Sequence, residues 1–257
     1  MLVKITLLTS LLFAVLYPLC FWISGKDPLK NNFHKFHIGL PNVVGGITLI
    51  FILLMDLPLS VKIAAVIWKV SLVSFSSYFW KKEYPKPLFM TIPSLLGLYA
   101  YAQMQTFLLG SNLLQIIAAI LGGLIFCASL FAMNLGHWYL NVHGLPIIHL
   151  KRSCYVLWGL LGVRLLWNIG WLFQGKVFYG GDWIRLIQFI SSMDGFLILL
   201  GFFFGIVFPF VSLFLVREIL KLKNTQAVTG ILYVILCSII LGDITYKYYL
   251  IKFGVAL

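Results

Sequence analysis

The side chains most able to carry chemistry in this sequence are histidines and asparagines near the ends of long apolar segments. Asn134, His137 and Asn141 recur at i, i+3 and i+7, so they share one face of a helix. Hydrocarbon offers polar groups no hydrogen-bond partner, and we therefore expect this face to point into a helix bundle. Tyr139 lies close to His137 along the chain and could assist a proton transfer there.

The histidines gather on one side of the bundle under the topology derived below. They are His34, His37, His137, His143 and His149. For His143 and His149, which follow the segment that contains His137, the favoured interpretation is a solvated loop residue. His137, together with His34 or His37, remains available for a buried site.

Three chemistries are open to such a site. A neutral imidazole at His137 can donate a hydrogen bond to a quinone carbonyl and pass on its proton, with Asn134 or Tyr139 assisting. Alternatively, His37 and His137 ligate a b-type haem from two sides. A divalent metal held by His34, His37 and His137 is disfavoured, because no Asp, Glu or Cys is placed to complete the site. The remaining interpretation is a histidine that only caps its own helix.

Ionisable residues inside the apolar segments form a second set of candidates, since a membrane makes their burial costly unless they are paired. Asp243 and Lys247 are four residues apart and are expected to pair within one helix. Arg164 has no acid in its own segment, so we expect Asp243, Asp194 or a bound ligand to lie within its reach. Lys69 is another residue of this kind.

The composition shows which environment must hold these residues. Apolar residues make up 61% of the 257-residue chain, charged residues make up 10%, and the mean hydropathy is +1.02. A soluble domain has about 25% charged residues to cover its surface. The chain is therefore predicted to be an integral membrane protein, which excludes a secreted enzyme, a nucleic-acid-binding domain and a disordered tail.

Apolar segments between charged, proline or glycine breaks predict an all-α bundle of about eight transmembrane helices, in a single integral membrane domain over 1–257. The segments are 4–24, 38–56, 59–80, 88–109, 112–140, 153–173, 194–216 and 227–251. The odd-numbered loops hold eleven Lys and Arg residues, whereas the termini and even-numbered loops hold five. Because positive charge favours the cytoplasmic side, both termini are predicted to lie outside. This distribution accounts for the net charge of +12 without a nucleic-acid partner.

Two local features also follow from the sequence. Asn112 follows a Gly-Ser break and is predicted to cap the next helix at its amino end. In the loop 174–193, Trp183, Leu186, Ile187 and Ile190 fall on one helical face. This pattern indicates a short amphipathic helix at the membrane surface or, equally, a cap packed over the bundle.

Signatures of several membrane enzymes are missing from the sequence. It contains no HExxH motif, no Gly-x-Ser-x-Gly elbow and no P-loop, and its seven acids are too scattered to hold Mg²⁺. A stand-alone hydrolase or transferase is therefore disfavoured.

The closing stretches, Thr229-Gly-Ile-Leu-Tyr233 and Leu241-Gly-Asp-Ile-Thr-Tyr-Lys-Tyr-Tyr-Leu250, place a glycine–acid pair before a basic and aromatic end. Together with eight spans, they resemble the membrane anchors of the polysulfide-reductase and dimethyl-sulfoxide-reductase type. The resemblance covers one span plus the topology, and Asp243 stands where those anchors are expected to carry glutamate. It implies a quinol-handling subunit without haem that docks an iron–sulfur partner.

These observations predict an inner-membrane subunit of a respiratory oxidoreductase that binds quinone in its bundle and exchanges electrons with partner subunits. The predicted catalytic residues are His137, Arg164 and Asp243, and the predicted quinone or haem ligands are His37, Asn134, His137 and Tyr139. The alternatives are a subunit that binds b-haem, a small-solute transporter, and an accessory subunit that holds a larger complex together.

Overall fold

Long apolar helices dominate the computed structural model, which describes residues 1–24, 29, 32–82, 85–142 and 144–257. The helices are α1 (Leu2–Leu16), α2 (Phe21–Ser24), α3 (Phe33–Leu54), α4 (Leu59–Trp80), α5 (Pro87–Leu109), α6 (Leu113–Asn141), α7 (Ile148–Gln174), α8 (Leu186–Ile190), α9 (Leu197–Phe202), α10 (Phe208–Lys221) and α11 (Thr225–Phe253). Between α7 and α8 lie the strands β1 (Lys176–Tyr179) and β2 (Asp182–Arg185). The 3₁₀ turn Tyr17–Cys20 joins α1 to α2, and the π-helical turn Phe203–Val207 joins α9 to α10.

Each of the eight predicted segments coincides with a helix, or with two helices joined by such a turn. Seven of these helical segments are long and apolar enough to cross a membrane, which supports an all-helical membrane bundle. The other one, α5, has 23 residues but carries Gln103, Gln105 and Thr106, which lower its hydropathy. That α5 also crosses, and that both termini lie outside, stay predictions.

The predicted cap at Asn112 is confirmed. Its side-chain oxygen accepts a hydrogen bond from the Gln115 main-chain N–H at 3.0 Å, and the Gln115 side chain accepts one from the Asn112 N–H at 2.8 Å. This reciprocal pair satisfies two donors that the start of α6 would otherwise leave free. Gly110 ends α5 with φ +63°, a left-handed conformation that suits glycine.

The helices form two groups of four with the same neighbour relations. In the N-terminal half, α1, α3, α4 and α5 pack in chain order, and α5 returns to α1. In the C-terminal half, α6, α7, α10 and α11 pack in the same order, and α11 returns to α6. Short connections favour such antiparallel neighbours. The two halves meet mainly where α1 crosses α6, and these two helices are the most buried in the bundle.

Small residues allow the two halves to approach closely. A Cβ atom at Gly123 of α6 would lie 2.5 Å from the Leu12 side chain of α1, so only glycine fits there. One turn along α6, the Cys127 thiol lies 3.8 Å from the main-chain oxygen of Phe13. The two halves are therefore closely packed where α1 contacts α6. The polar residues at the ends of these two helices lie next to this contact.

Alternating helix directions divide the loops between two ends of the bundle. One end contains the start of α3 and the described parts of the loops that follow α4, α6 and α10. We call it the basic face because nine of the described Lys and Arg residues lie there. The opposite end contains both chain termini and the loop 175–196. Contacts there join Lys4 to the Leu108 oxygen and Gln115 to the Gly254 oxygen.

The loop at the opposite end differs from the predicted amphipathic helix, and that prediction is wrong. Trp183 belongs to β2 and is exposed, while the helical part is only α8, in which Leu186 is buried and Ile187 is exposed. Gly180 and Gly181 both have positive φ, +65° and +97°, which builds the tight turn between β1 and β2. Burial of Leu186 agrees with the alternative of a cap over the bundle.

A carboxylate anchors this cap outside the membrane-spanning segments. The Tyr179 hydroxyl donates to the Asp194 carboxylate at 2.9 Å, and Lys252 lies 3.5 Å from the same carboxylate. The hydrogen bond and negative charge of Asp194 raise the pKa of the Tyr179 hydroxyl above its ordinary value. The Asp194 carboxylate therefore already has two partners, Tyr179 and Lys252, at the surface of the bundle.

Candidate functional site

His37 is the most enclosed of the predicted ligand residues, with 1% of its surface exposed. It lies in the second turn of α3, where its Nδ1 is 2.7 Å from the Tyr17 hydroxyl oxygen. The Asn134 side-chain amide of α6 donates to the same Tyr17 oxygen at 3.2 Å. Three separate elements thus meet around Tyr17, and we call His37, Tyr17 and Asn134 the His37 cluster.

The hydrogen bonds of this cluster select one tautomer of His37. Because Asn134 donates to the Tyr17 oxygen, the Tyr17 O–H is free to donate to Nδ1 of His37. If Nδ1 carried the proton instead, the Tyr17 O–H would have no acceptor among the described residues. The favoured neutral form therefore carries its proton on Nε2.

The Nε2 atom of His37 is buried and has no hydrogen-bond partner within the described part of the chain. Leaving a buried donor unpaired costs about 1–3 kcal/mol, and most buried polar atoms in proteins have a partner. Among the described residues, the His37 cluster therefore keeps one N–H group available to a further acceptor.

Aromatic rings surround this imidazole. The ring centroid of His37 lies 3.9 Å from that of Phe33, 5.0 Å from that of Phe131 and 5.2 Å from that of Phe36. Phe33 in turn contacts Trp138 at 5.4 Å. These rings shield the imidazole from water and place it in an apolar, aromatic environment.

His137, the main candidate from the sequence, lies outside this enclosure. Its side chain is exposed, and its Nδ1 is 3.5 Å from the Tyr233 hydroxyl of α11. Asn141 is exposed as well, and of the predicted polar face only Asn134 points inward. The prediction of an inward face fails because His137 lies four residues before the end of α6, where water and headgroups can satisfy a polar side chain.

Tyr139 and the other histidines are placed as follows. The Tyr139 hydroxyl donates to the main-chain oxygen of Pro146, which ties α6 to the next loop. His149 was predicted to be a solvated loop residue, but it is buried in the first turn of α7. His34 is buried on α3 beside the main chain of Lys82, and His143 lies outside the described residues.

The predicted pair of haem ligands is not assembled. His37 contacts α1 and α6 inside the bundle, whereas His137 contacts Tyr233 on the outer side of α6. The tautomer favoured for His37 also places a proton on Nε2, the nitrogen that would have to bind iron. Within the described residues, no three His, Cys, Asp or Glu side chains come together as possible metal ligands.

The second cluster is built around Arg164, which is 3% exposed in the middle of α7. Its guanidinium donates to the main-chain oxygens of Ala118 and Leu257. It also stacks over the Tyr246 ring, 4.8 Å from the centroid, and the Tyr246 hydroxyl accepts a hydrogen bond from Asn168 at 2.7 Å. The sequence could not point to these partners of Arg164, because main-chain oxygens leave no residue-specific signal.

The acids predicted to reach Arg164 do not pair with it. Asp243 instead forms the predicted i, i+4 ion pair with Lys247, which confirms that pairing. A Cβ atom built at Gly122 would lie 2.9 Å from the Asp243 carboxylate and 3.9 Å from the Arg164 guanidinium, so the two charges are neighbours across this glycine. Asp194 is held at the surface by Tyr179. We call Arg164, Tyr246, Asn168, Asp243 and Lys247 the Arg164 cluster.

Like Arg164, Lys69 has uncharged oxygen atoms as hydrogen-bond partners. Its ammonium donates to the main-chain oxygen of Asn42 at 2.6 Å and to the Asn42 side-chain oxygen at 3.1 Å. The Asn42 amide then donates to Ser76 at 2.6 Å. Lys69 therefore ties α4 to α3.

No protein-family model, curated protein or solved structure matches this chain. The functional argument therefore depends on the clusters themselves. Tyr17 and Phe33 complete the His37 cluster although the sequence did not single them out. Tyr17 directly precedes Pro18, where α1 ends and a 3₁₀ turn begins. This proline is the feature of the sequence that could have pointed to Tyr17.

Proposed function

We propose that this chain is the quinone-binding membrane subunit of a respiratory oxidoreductase, and that the quinone headgroup binds at the His37 cluster. The observation that carries the proposal is the buried Nε2–H group of His37, which lacks an acceptor among the described residues and is surrounded by aromatic rings. A quinone carbonyl is an acceptor of the required kind. The resemblance to the membrane anchors of polysulfide and dimethyl-sulfoxide reductases supports the same class of ligand.

The cluster supplies a hydrogen-bond donor in a fixed tautomer. A quinone bound there would carry the electrons and take up protons on reduction. The Nε2–H group of His37 would hold one carbonyl oxygen, and Tyr17, fixed by Asn134, would keep that proton on Nε2 by donating its own O–H hydrogen bond to Nδ1. This proposal moves the role predicted for His137 and Tyr139 to His37 and Tyr17. Asn134 keeps a role as the residue that orients Tyr17.

Arg164 and Asp243 have no direct part in this proposal. Their polar atoms are engaged with Ala118, Leu257 and Lys247, so they stabilise the C-terminal half. The haem alternative receives less support, because iron ligation by His37 needs a lone pair on Nε2 and therefore the opposite tautomer. An optical spectrum of the purified protein separates the two cofactors, since a Soret band would favour haem.

The decisive experiment compares His37→Phe with His137→Ala in the purified full chain. A short-chain quinone analogue is titrated by quenching of tryptophan fluorescence, and endogenous quinone is extracted and quantified. His37→Phe keeps the aromatic packing but removes the N–H donor, and we expect at least about tenfold weaker binding. His137→Ala is the matched control and should bind as the original protein does. Equal binding by His37→Phe and the original protein would overturn the proposal.

The orientation and the partners are also part of the proposal. We place the basic face in the cytoplasm, with a partner of the iron–sulfur type docked near the His37 cluster. An alkaline-phosphatase fusion at residue 257 should be active, whereas a fusion after Lys82 should be inactive. The opposite pattern would invert the topology. Purification without partner chains, together with substrate uptake into vesicles, would favour the transporter alternative instead.

A further inference from the structure

A second polar feature lies at the basic face, apart from the His37 cluster. A cleft of about 120 Å³ opens between the first turns of α7 and the last turns of α10. This is about four times the volume of a water molecule in the liquid, ~30 Å³, which is enough for a phosphate group. Lys151, Arg217 and Lys221 all line it. Three cations around one small cleft form a strongly positive site at the end of the two helices.

Two of these cations have no carboxylate to neutralise them. Lys221 is paired with Glu218, at 2.7 Å from both carboxylate oxygens. Neither Lys151 nor Arg217 forms an ion pair within the described part of the chain. The cleft therefore keeps a net positive charge even with Glu218 beside it, and its chemistry suits an anion rather than a neutral or cationic group.

The remaining walls match the region where headgroups meet acyl chains. Trp158 lines the cleft and packs edge-on against Phe214, with centroids 4.5 Å apart. Its indole N–H is buried and has no acceptor among the residues that the structure describes. Tyr155 adds a hydroxyl. Tryptophan and tyrosine are typical of the membrane interface, where one side of the ring is apolar and the other meets polar groups.

We infer that this cleft binds the phosphate of an anionic phospholipid, with Lys151 and Arg217 as the charged ligands and the Trp158 N–H as a neutral donor. Basic pockets between helices on the cytoplasmic side are common sites for such headgroups. The acyl chains would run along the exposed apolar surface of α7 and α10, which includes Phe214. This inference is independent of the proposed quinone site.

The test uses native mass spectrometry of the purified, delipidated full chain. Dihexanoyl-phosphatidylglycerol is titrated below its micellar concentration, and dihexanoyl-phosphatidylcholine and inorganic phosphate are titrated in parallel. The variant Lys151→Ala with Arg217→Ala should bind phosphatidylglycerol roughly 25-fold more weakly, at about fivefold for each cation. The matched control, Lys81→Ala with Lys82→Ala, removes two cations of the same face outside the cleft and should leave binding unchanged.

Trp158→Phe tests the neutral donor without changing the charge. We expect it to weaken phosphatidylglycerol binding about tenfold, as for the loss of a hydrogen bond to a charged acceptor. Unchanged binding in this variant would overturn the role of the indole. An equal loss in the Lys81 and Lys82 control would overturn the site, because diffuse surface charge would then explain binding. Competition by inorganic phosphate at equal affinity would overturn the assignment to a lipid.

Discussion

The two polar clusters of this bundle differ in charge and in the kind of buried atom that lacks a partner among the described residues. That atom is a hydrogen-bond acceptor, the Asn168 Oδ1, in the Arg164 cluster, and a donor, the His37 Nε2–H, in the His37 cluster. In the Arg164 cluster, the guanidinium has two main-chain acceptors and an aromatic face, and the neighbouring carboxylate is paired with Lys247. In the His37 cluster, every group is neutral and one donor is left open. Arg164 lies in the middle of α7, whereas His37 lies in the second turn of α3, near the basic face.

This difference separates a structural role from a binding role. Buried charges must be matched within the protein, because a membrane supplies nothing to compensate them. Burying a neutral imidazole with one unpaired N–H group costs far less free energy than burying an unpaired charge, and the N–H group stays available to a ligand. We therefore expect an unpaired buried donor to be a better guide to the ligand site than the burial of an ionisable residue. The four variants below test this division, beginning with the largest expected effect.

Asp243→Asn should be the most damaging substitution for stability. It would leave Lys247 and Arg164 buried as two neighbouring cations, and losing one partner of a buried pair costs about 3–5 kcal/mol. Lys247→Met in the same chain should restore most of this loss, because one cation with its own acceptors remains. Unfolding in a denaturing detergent gives the free energies. A fully stable Asp243→Asn protein would mean that the Arg164 cluster does not depend on charge balance.

Gly242→Ala tests whether close packing also keeps the Arg164 cluster closed. A Cβ atom at Gly242 would lie 2.2 Å from the Gly205 Cα, so the two helical segments must separate. We expect a loss of about 1–3 kcal/mol in the free energy of unfolding. Gly230→Ala on the same helix is the control, since its Cβ atom meets nothing within 4 Å. Equal effects of both substitutions would show that helix propensity, rather than contact, decides the result.

His37→Phe should change stability by only about 1 kcal/mol, although the proposal expects at least about tenfold weaker quinone binding. The substitution leaves the Tyr17 O–H without its acceptor but removes the unpaired Nε2–H, so the number of unpaired buried donors is unchanged and only one hydrogen bond is lost. Thermal unfolding of the purified protein measures this change, and the quinone titration measures the function. A loss as large as that of Asp243→Asn would place His37 among the structural residues and remove the distinction between the clusters.

His137→Ala should have the smallest effect, within about 0.5 kcal/mol, as expected for an exposed position. Both quinone affinity and the unfolding midpoint serve as readouts. A large loss of quinone binding in this variant would restore the original prediction from the sequence and would indicate that the site includes the surface between α6 and α11.

Several elements could be predicted because neighbours in the chain decide them. Asn112 and Gln115 form their cap within one turn, and Asp243 and Lys247 pair across one turn of the same helix. The eight long helical segments follow from the lengths of apolar runs. The loop 174–193 was misjudged because two adjacent glycines, with positive φ, override the helical periodicity of the apolar residues after them.

The candidate site was only partly predictable. His37 and Asn134 were among the candidates, but nothing local shows that they meet at Tyr17, which lies 20 residues from one and 117 from the other. The assignment of His137 to the interior used helical periodicity alone. Periodicity groups side chains on a face, yet it does not show which face meets another helix, and near a helix end both faces can be satisfied.

The sequence by itself determined that the chain forms a bundle of apolar helices, because its composition has too little charge for a water-facing surface and its apolar runs have the length of a bilayer. Apart from pairs within one helical turn, such as Asp243 with Lys247, only the tertiary structure decided which polar residues are paired and which lack a partner. Those partners are largely main-chain oxygens and residues from distant helices, such as Ala118 and Leu257 for Arg164 and Tyr17 for His37. Whether a buried polar group has a hydrogen-bond partner depends on how far apart the helices lie, and packing of the helices sets those distances.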